Sequence, residues 1–287
     1  MHDRLIVGFD GSEAAASAVR WAADEAQTRG AAVRVVSSYS MPPVMAYYGM
    51  GTAVAAEPNL QALKEACLAD LKVVVADSTH THPRVGFDFM AVNEHPVSAL
   101  VREAKAADLL VVGSNGAGAV RSFLLGSVTG AVLHESPCPV VVVPGELHEV
   151  TGRIVVGVDG SKHSDAALDW AIDEADRHGT DLVVLHAWEY PYRMTAEGVA
   201  PGPDLTQVDA AIVVDAAVEH ARERMTGGVH RRLVEGGPTQ SLLAATEAAA
   251  MLVVGSRGRG GFRSMLLGSV AHAVSAHAHC PVVVVRP

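Results

Sequence analysis

The stretch GSRGRGGFRSMLLGS occupies residues 255–269 and decides how the rest of the chain is interpreted. An apolar run at residues 251–254 leads into it, and a helix-compatible run begins at Val270. The order is therefore strand, glycine-rich loop, helix start. Such a loop offers backbone N–H groups and the positive end of a helix dipole, which suit an anionic group such as phosphate.

A second copy of this stretch lies at residues 113–127, inside an internal repeat that covers the chain. Residues 4–12 (RLIVGFDGS) match residues 153–161 (RIVVGVDGS) at an offset of 149 residues. From Pro96 and Pro238 onward the offset is 142, so the second copy is seven residues shorter. A tandem duplication explains this self-similarity. It predicts domain 1 at residues 1–145, a linker at 146–151 and domain 2 at 152–287.

Each copy alternates apolar runs of strand length with helix-compatible segments. In the first copy we expect strands at 5–9, 33–38, 85–92, 109–112 and 140–143, and helices at 12–29, 60–75, 96–106 and 128–135. In the second copy the helices are expected at 164–177, 204–225, 239–249 and 270–276. Residues 41–59 and 190–203 are expected to be loops. The alternation predicts an α/β fold of two tandem doubly wound domains, each a five-stranded parallel sheet flanked by helices.

Each copy ends on a run of four valines, at 140–143 and 282–285. Such a strand needs apolar cover on both faces, and a free edge of this kind would invite pairing with other chains. We therefore expect the two runs to pair or pack against each other within the chain, about a pseudo-two-fold axis. The alternative is an ordinary central strand in each domain.

Composition and charge narrow the functional class. The net charge is −10, which argues against a nucleic-acid partner or an anionic membrane surface. No apolar run approaches the ~20 residues of a membrane helix. The N-terminal residues run directly into a strand without the apolar core of a signal peptide. We expect a soluble, cytoplasmic protein.

The two glycine loops share the spacing G-x-x-G, nine residues, G-S. The first glycine ends a strand, at the sheet edge where open α/β sheets place ligands. The second is expected to allow a positive φ and a close backbone approach. The final Gly-Ser should start the next helix, with the serine hydroxyl donating to a phosphate. The alternative is a tight turn without a ligand, and the pattern is neither a Walker A loop nor a GxGxxG motif.

An aspartate follows the first strand of each copy, Asp10 and Asp159, and each is followed by Gly-Ser. This short acceptor suits a hydrogen bond to the base or ribose of a ligand. It also suits a helix cap, although Ser12 and Ser161 are able to cap instead.

With these motifs, the chain resembles the tandem-domain universal stress proteins of the ATP-binding branch over essentially its whole length. The resemblance implies one ATP per domain, with or without Mg²⁺, at the carboxyl edge of each sheet. It places Asp10 and Asp159 near the adenosine, the backbone of Ser38 and Ala187 against the adenine, and the loop glycines on ribose and phosphates. It further implies fifth-strand pairing, a homodimer, an unknown protein partner, and a role as a nucleotide-sensing regulator of stress adaptation and growth.

The expected binding residues occupy matching positions in the two copies. In the first they are Asp10, Gly11, Ser12, Ser38, Gly113, Ser114, Gly116, Gly118, Arg121, Gly126, Ser127 and Val128. In the second they are Asp159, Gly160, Ser161, Ala187, Gly255, Arg257, Gly258, Arg259, Arg263, Gly268, Ser269 and Val270.

The loops differ in charge, because the second carries Arg257, Arg259 and Arg263 where the first has Asn115, Ala117 and Arg121. Charge-assisted contacts predict tighter triphosphate binding in the second domain. The alternative is that these arginines are solvated surface charges.

No catalytic residue and no metal site are assigned. The histidines at 272, 277 and 279 have Gly130, Glu135 and Pro137 at the matching positions of the first copy, so we expect no metal there. Two alternatives to a non-enzymatic regulator remain open. One is a slow ATPase or phosphotransferase, which would need a positioned base and a Mg²⁺-holding acid near the phosphates. The other is a scaffold that binds cAMP or a protein partner.

Overall fold

The computed structural model describes residues 4–39, 59–116, 125–145, 152–189, 192–195, 198–201, 207–260 and 267–287. The elements of the first half are β1 (Arg4–Gly8), α1 (Glu13–Arg29), β2 (Ala32–Ser38), α2 (Leu60–Thr81), β3 (Gly86–Val92), α3 (Pro96–Ala104), β4 (Leu109–Gly113), α4 (Ser127–Glu135) and β5 (Val140–Val143). Those of the second half are β6 (Arg153–Gly157), α5 (Lys162–His178), β7 (Leu182–Trp188), β8 (Tyr192–Thr195), β9 (Gly198–Pro201), α6 (Gln207–Arg224), β10 (Val229–Glu235), α7 (Pro238–Thr246), β11 (Ala249–Gly255), α8 (Ser269–His277) and β12 (Val282–Val285).

Ten strands form one sheet in the order β10-β7-β6-β11-β12-β5-β4-β1-β2-β3. Within each half the five strands are parallel, whereas β12 pairs with β5 antiparallel, Val283 opposite Val141. The predicted α/β class, the five-stranded parallel sheets and the pairing of the valine runs are confirmed. Because the halves meet antiparallel, the carboxyl ends of their strands lie at opposite edges of the common sheet.

The helices cover both faces of this sheet. Alternate strand residues pack on one face beneath α1, α2, α5 and α6, and on the other beneath α3, α4, α7 and α8. All four valines of β5 are buried, as expected for a strand with helices on both sides. In the part of the chain that the structure describes, no helix is long and apolar enough to cross a bilayer.

Some element boundaries differ from the sequence expectations. Helix α2 continues to Thr81 rather than residue 75, because the face that carries Leu71 and Val75 stays buried for another turn, at Ser78. Helix α7 ends at Thr246 rather than residue 249, since Ala249 already pairs with β6. The expected loop 190–203 contains the antiparallel pair β8–β9. Residues 40–58 and the proposed linker 146–151 lie outside the described residues.

A group of four charged side chains joins α1 to α5 around two buried carboxylates, and we call it the interdomain quartet: Glu25, Arg29, Glu174 and His178. Glu25 and Glu174 are equivalent in the repeat, as are Arg29 and His178. Arg29 donates to both carboxylates, and His178 Nε2 lies 3.0 Å from Glu25 and 3.2 Å from Glu174. The side chains of Glu25 and Glu174 are 2% and 0% exposed. Arg177 also donates to Glu174, so three cations surround the two buried carboxylates.

The quartet shifts the protonation of its members. Hydrogen bonds to Glu174 and Glu25 raise the pKa of His178 to about 9, so this imidazole is protonated at neutral pH. Burial alone would raise the pKa of Glu25, but the hydrogen bond from His178 and the charge of Arg29 lower it to about 2. Burial also raises the pKa of Glu174, which makes Glu25 the more firmly charged carboxylate.

The quartet predicts a loss of stability at alkaline pH. The pKa of His178 rises on folding from the ordinary 6.5 to about 9, so its stabilisation is complete below pH 6.5 and is lost as the pH rises through 9. Urea unfolding of the wild type should show a falling free energy of unfolding over this range. His178→Ala should flatten that decline, while the control His220→Ala, whose partner Asp169 is half exposed, should not. A curve of unchanged steepness in His178→Ala would contradict the assignment.

Candidate functional site

Each half of the sheet has a cavity at its carboxyl edge, of about 580 Å³ in the first half and about 480 Å³ in the second. The first lies between β1 and β4, and the second between β6 and β11, where the chain order of the strands reverses. Open α/β sheets bind ligands at this switch point. Both volumes fall within the ~300–1,000 Å³ typical of small-molecule sites.

The ends of each glycine loop are closed by backbone hydrogen bonds. Gly126 N–H donates to Ser114 O at 2.9 Å, and Gly268 N–H donates to Ser256 O at 2.8 Å. The N–H groups of Ser114 and Ser256 donate to the last residues of β5 and β12, Val143 and Val285, both at 2.8 Å. These bonds bring the start of each loop beside the start of the following helix.

Helices α4 and α8 begin directly on the cavities without a side-chain cap. Their N-cap residues are Gly126 and Gly268, and neither helix has a side-chain hydrogen bond at its cap. The first-turn residues line the cavities: Ser127, Val128 and Thr129 in the first, Ser269, Val270 and Ala271 in the second. Each cavity therefore receives the positive end of a helix that has no side-chain cap among the described residues. This is the geometry of an anion site.

The neighbouring helices α1 and α5 are capped conventionally. Ser12 Oγ accepts from Ala15 N–H at 3.1 Å, and Ser161 Oγ accepts from Ser164 N–H at 3.3 Å. Of the two capping candidates that the sequence offers, the serines cap the helices and the aspartates before them do not.

The two aspartates organise the turns beside the cavities. Asp10 Oδ1 accepts from Ser12 N–H, and Asp159 Oδ1 from Ser161 N–H, both at 3.0 Å. Asp159 Oδ2 also accepts from Arg259 N–H at 2.7 Å, which ties the turn after β6 to the glycine loop. Burial would raise the pKa of Asp159, but hydrogen bonds from Ser161 and Arg259 lower it overall. The Asp159 carboxylate is therefore charged at the cavity wall.

The second glycine of each loop is required for a different reason than the sequence suggests. The expectation of a positive φ at Gly116 and Gly258 is wrong, since among the described residues the positive-φ glycines beside the cavities are Gly11 and Gly160. A Cβ atom at position 258 would lie 2.5 Å from Asp159 Oδ2, and one at position 116 would lie 2.8 Å from Asp10 Oδ2. These glycines leave room for the aspartate carboxylates.

The first glycine of each loop allows a strand to touch a helix backbone. A Cβ atom on Gly255 would lie 2.5 Å from the carbonyl oxygen of His163, in the first turn of α5. On Gly113 it would lie 2.7 Å from the carbonyl carbon of Ala14 in α1. Close packing of α1 against β4, and of α5 against β11, sets the width of each cavity mouth.

The structure brings most of the expected residues together. The first cavity is lined by Asp10, Ser38, Gly113, Gly116, Gly126, Ser127 and Val128. The second is lined by Asp159, Ala187, Gly255, Arg257, Gly258, Arg259, Gly268, Ser269 and Val270. Gly11, Ser12, Ser114, Gly160 and Ser161 are described outside the lining, where they form turns, caps and loop closures. Gly118, Arg121 and Arg263 lie outside the described residues.

The apolar walls of the cavities were not anticipated. Pro96, Ala99 and Leu100 of α3 line the first cavity, and Pro238 and Leu242 of α7 line the second. The matched prolines at the helix starts were a usable signal, because they place equivalent helices beside both cavities. His186 was also missed: it lines the second cavity and holds Val158 O with its Nδ1 at 2.6 Å.

Within the described residues, one group of metal-type ligands lies close together, and it is remote from both cavities: Glu25, Glu174 and His178 of the interdomain quartet. Arg29 already bonds both carboxylates, so a cation there would have to displace the guanidinium. The arrangement is an ion-pair network rather than a metal centre.

Comparison with known proteins is consistent with the repeat. The sequence model of the universal stress protein family matches residues 1–144 and again 151–286. A universal stress protein of Mycolicibacterium smegmatis is 34% identical over 99% of this chain and 97% of its own length. Universal stress protein Rv2623 of Mycobacterium tuberculosis is 37% identical over 98% of this chain and 96% of its own length. A crystal structure of a universal stress protein from Archaeoglobus fulgidus shares the fold, with a TM-score of 0.74, 22% identity and coverage of 99% and 98%.

The close contact at Gly255 predicts a clear stability effect. Gly255→Ala would press a methyl group into the backbone of His163, and the strain should lower the free energy of unfolding by about 1–3 kcal/mol. Gly260→Ala is the matched control, because nothing lies within 4 Å of a Cβ at that position. Urea denaturation of both variants checks the comparison. Equal stabilities would show that the strand–helix contact is not as close as described.

Proposed function

The chain belongs to the universal stress protein family, and we propose that it binds one ATP in each domain and acts as a nucleotide-sensing regulator of stress adaptation and growth. In this proposal the protein responds to whether ATP is bound, and hydrolysis of ATP is not required. We further propose that the protein works in the cytoplasm and as a homodimer.

One observation carries the proposal: both uncapped helix N-termini open into cavities at a sheet switch point. Helices α1 and α5 of the same chain are capped by serines, whereas α3 and α7, which also lack a side-chain cap, begin with a proline that has no N–H group to satisfy. Buried or half-buried N–H groups are normally satisfied, so the uncapped ends call for an anionic ligand. In our proposal the phosphates lie against Gly126–Ser127 and Gly268–Ser269.

The remaining cavity surface suits an adenosine. Its apolar side, formed by Leu100 in one half and Leu242 in the other, accommodates the flat face of a base. Ser38 at the end of β2 lines the first cavity, and Ala187 near the end of β7 lines the second. In our proposal the backbone of each residue contacts the edge of the base. The Asp10 and Asp159 carboxylates would accept from ribose hydroxyls.

A Mg²⁺ ion would find few protein ligands in either cavity. Among the described lining residues, each cavity contains one carboxylate, Asp10 or Asp159, and its Oδ1 already accepts from a backbone N–H. A Mg²⁺ ion with one such carboxylate would depend on the nucleotide phosphates and water for its other ligands. We therefore propose that any Mg²⁺ arrives with ATP, where it would neutralise phosphate charge.

Two other functions compete with this proposal. A slow ATPase or phosphotransferase would use Ser127 and Ser269, which are exposed on the cavities, but it needs a positioned base. Neither the walls nor the loop ends described here offer an acid beyond the two aspartates. A scaffold that binds cAMP or a protein partner would use the same cavities without a triphosphate.

The proposal predicts that the purified protein carries or takes up ATP. Denaturing the full chain and identifying the released nucleotide by mass spectrometry should give ATP in near-stoichiometric amount. Gly116→Val and Gly258→Val should each remove about half of it, because each added side chain meets an aspartate at one cavity. Gly86→Val, at the start of β3 and outside the lining of both cavities, is the matched control, because a Cβ there meets its neighbour only at 3.8 Å.

Other outcomes favour the alternatives. Release of ADP, with free phosphate accumulating during incubation, would favour the ATPase. Recovery of cAMP would favour the scaffold. Absence of any nucleotide, together with no uptake of added ATP, would overturn the proposal.

A further inference from the structure

The two glycine loops are closed by equivalent backbone hydrogen bonds, but the basic residues around them differ. In the second domain, Arg257 lines the cavity, His163 lies in the first turn of α5, and Arg286 follows β12. The matching positions of the first domain hold Asn115, Ala14 and Pro144. We call Arg257, His163 and Arg286 the cation cluster. At all three positions a basic residue of the second domain corresponds to an uncharged residue of the first. The backbone hydrogen bonds that close the two loops are the same.

The cation cluster is held together by the loop frame. The N–H group of Ser256 donates to Val285 O at 2.8 Å, which places Arg286 beside the residue before Arg257. His163 Nδ1 lies 3.1 Å from Ser256 Oγ, and the backbone of His163 packs against Gly255. Two arginines and an imidazole thus surround one short stretch of the loop.

Among the described residues, Arg257 forms no ion pair. Its Nε is buried and has no hydrogen bond, and the ion pairs of the described residues involve other arginines. Arg286 donates to the carbonyl of Leu133, in the last turn of α4, and not to a carboxylate. A buried guanidinium N–H group normally has a hydrogen-bond acceptor, so an anion in the adjacent cavity would satisfy this donor.

The cations also repel one another. Burial and the charge of Arg257 lower the pKa of Arg286. Burial, then Arg257 and Arg286, lower the pKa of His163, with the Asp159 carboxylate acting in the opposite direction. A second anion in this cavity would relieve that repulsion.

We propose that Arg257, supported by His163 and Arg286, makes the second cavity selective for nucleoside polyphosphates, whereas the first cavity binds mono- and triphosphates with similar affinity. This inference rests on the proposed nucleotide function. Arg257 would contact the phosphates beyond the first, and the other two cations would position it and add to the local field. The chain would then carry one site that responds to the degree of phosphorylation and one that responds to the adenine nucleotide pool as a whole.

A proton accompanies polyphosphate binding in this account. The groups that face His163 are Arg257, Arg286, the Asp159 carboxylate and the Ser256 hydroxyl. An added polyphosphate would outweigh the two arginines and restore the proton to the imidazole. Binding of ATP to the second cavity should therefore take up protons near neutral pH and strengthen as the pH falls toward 6.

The test measures each cavity separately by calorimetric titration of the full-length chain with ATP, ADP and AMP. Gly116→Val leaves the second cavity to be measured, and Gly258→Val leaves the first. In Gly116→Val we expect ATP to bind at least tenfold more tightly than AMP. In Gly258→Val the ratio should stay below about threefold.

Exchanges between the copies test the individual cations. Added to Gly116→Val, Arg257→Asn should weaken ATP about tenfold or more and AMP less than twofold, because it removes a charge-assisted contact. The exposed Arg232→Asn on β10 is the matched control and should change neither. His163→Ala should abolish the proton uptake that titration in buffers of different ionisation heat reveals. The double variant Gly258→Val with Asn115→Arg should raise the preference of the first cavity for ATP over AMP. This test remains informative even if the Arg257 variants do not fold.

The outcomes separate this inference from the proposed function. If neither cavity binds any nucleotide, the proposed function fails. If both bind but show the same ATP-to-AMP ratio, with Arg257→Asn behaving like Arg232→Asn, the selectivity is overturned and the nucleotide function survives. Proton uptake that persists in His163→Ala would remove His163 from the account.

Discussion

The antiparallel pairing of β5 with β12 is the interaction on which the rest of the molecule depends. Four valines from each domain close the sheet edges that would otherwise be exposed, and they join two parallel sheets into one. The pairing brings α1 against α5, which buries the interdomain quartet, and it brings Arg286 of one domain to the end of α4 in the other. It also directs the two carboxyl edges, and hence the two cavities, to opposite edges of the sheet.

The cavities depend on glycines, which have no side chain to fill the space. Gly113 and Gly255 let a strand contact a helix backbone, and Gly116 and Gly258 let an aspartate carboxylate approach the loop. Gly126 and Gly268 start helices without offering a capping side chain. Together they leave polar N–H groups and a dipole facing an open, partly apolar space. The polar wall comes from backbone, so the two domains share it even where their side chains differ.

Much of this was predictable from the sequence, and the exceptions have physical reasons. The repeat, the alternation of strands and helices, and the spacing of the loop glycines are visible in the sequence, because they depend on residues that are near one another in the chain. The length of α2 was underestimated, since its last turns are polar in sequence and the burial of Ser78 depends on the fold. The requirement for glycine at position 258 depends on Asp159, which lies in the turn after β6, far away in the sequence. The approach of His163 to Ser256 was likewise hidden, because the fold brings these residues together across 93 positions of sequence.

The central claim is that both uncapped helix starts bind phosphate, and a crystal structure of the full chain grown with excess ATP tests it most directly. The account predicts nucleotide density in both cavities, with phosphate oxygens within hydrogen-bond distance of the first N–H groups of α4 and α8. Adenine should lie against Leu100 in one and Leu242 in the other. Density at neither helix start, or nucleotide bound elsewhere on the surface, would contradict the account.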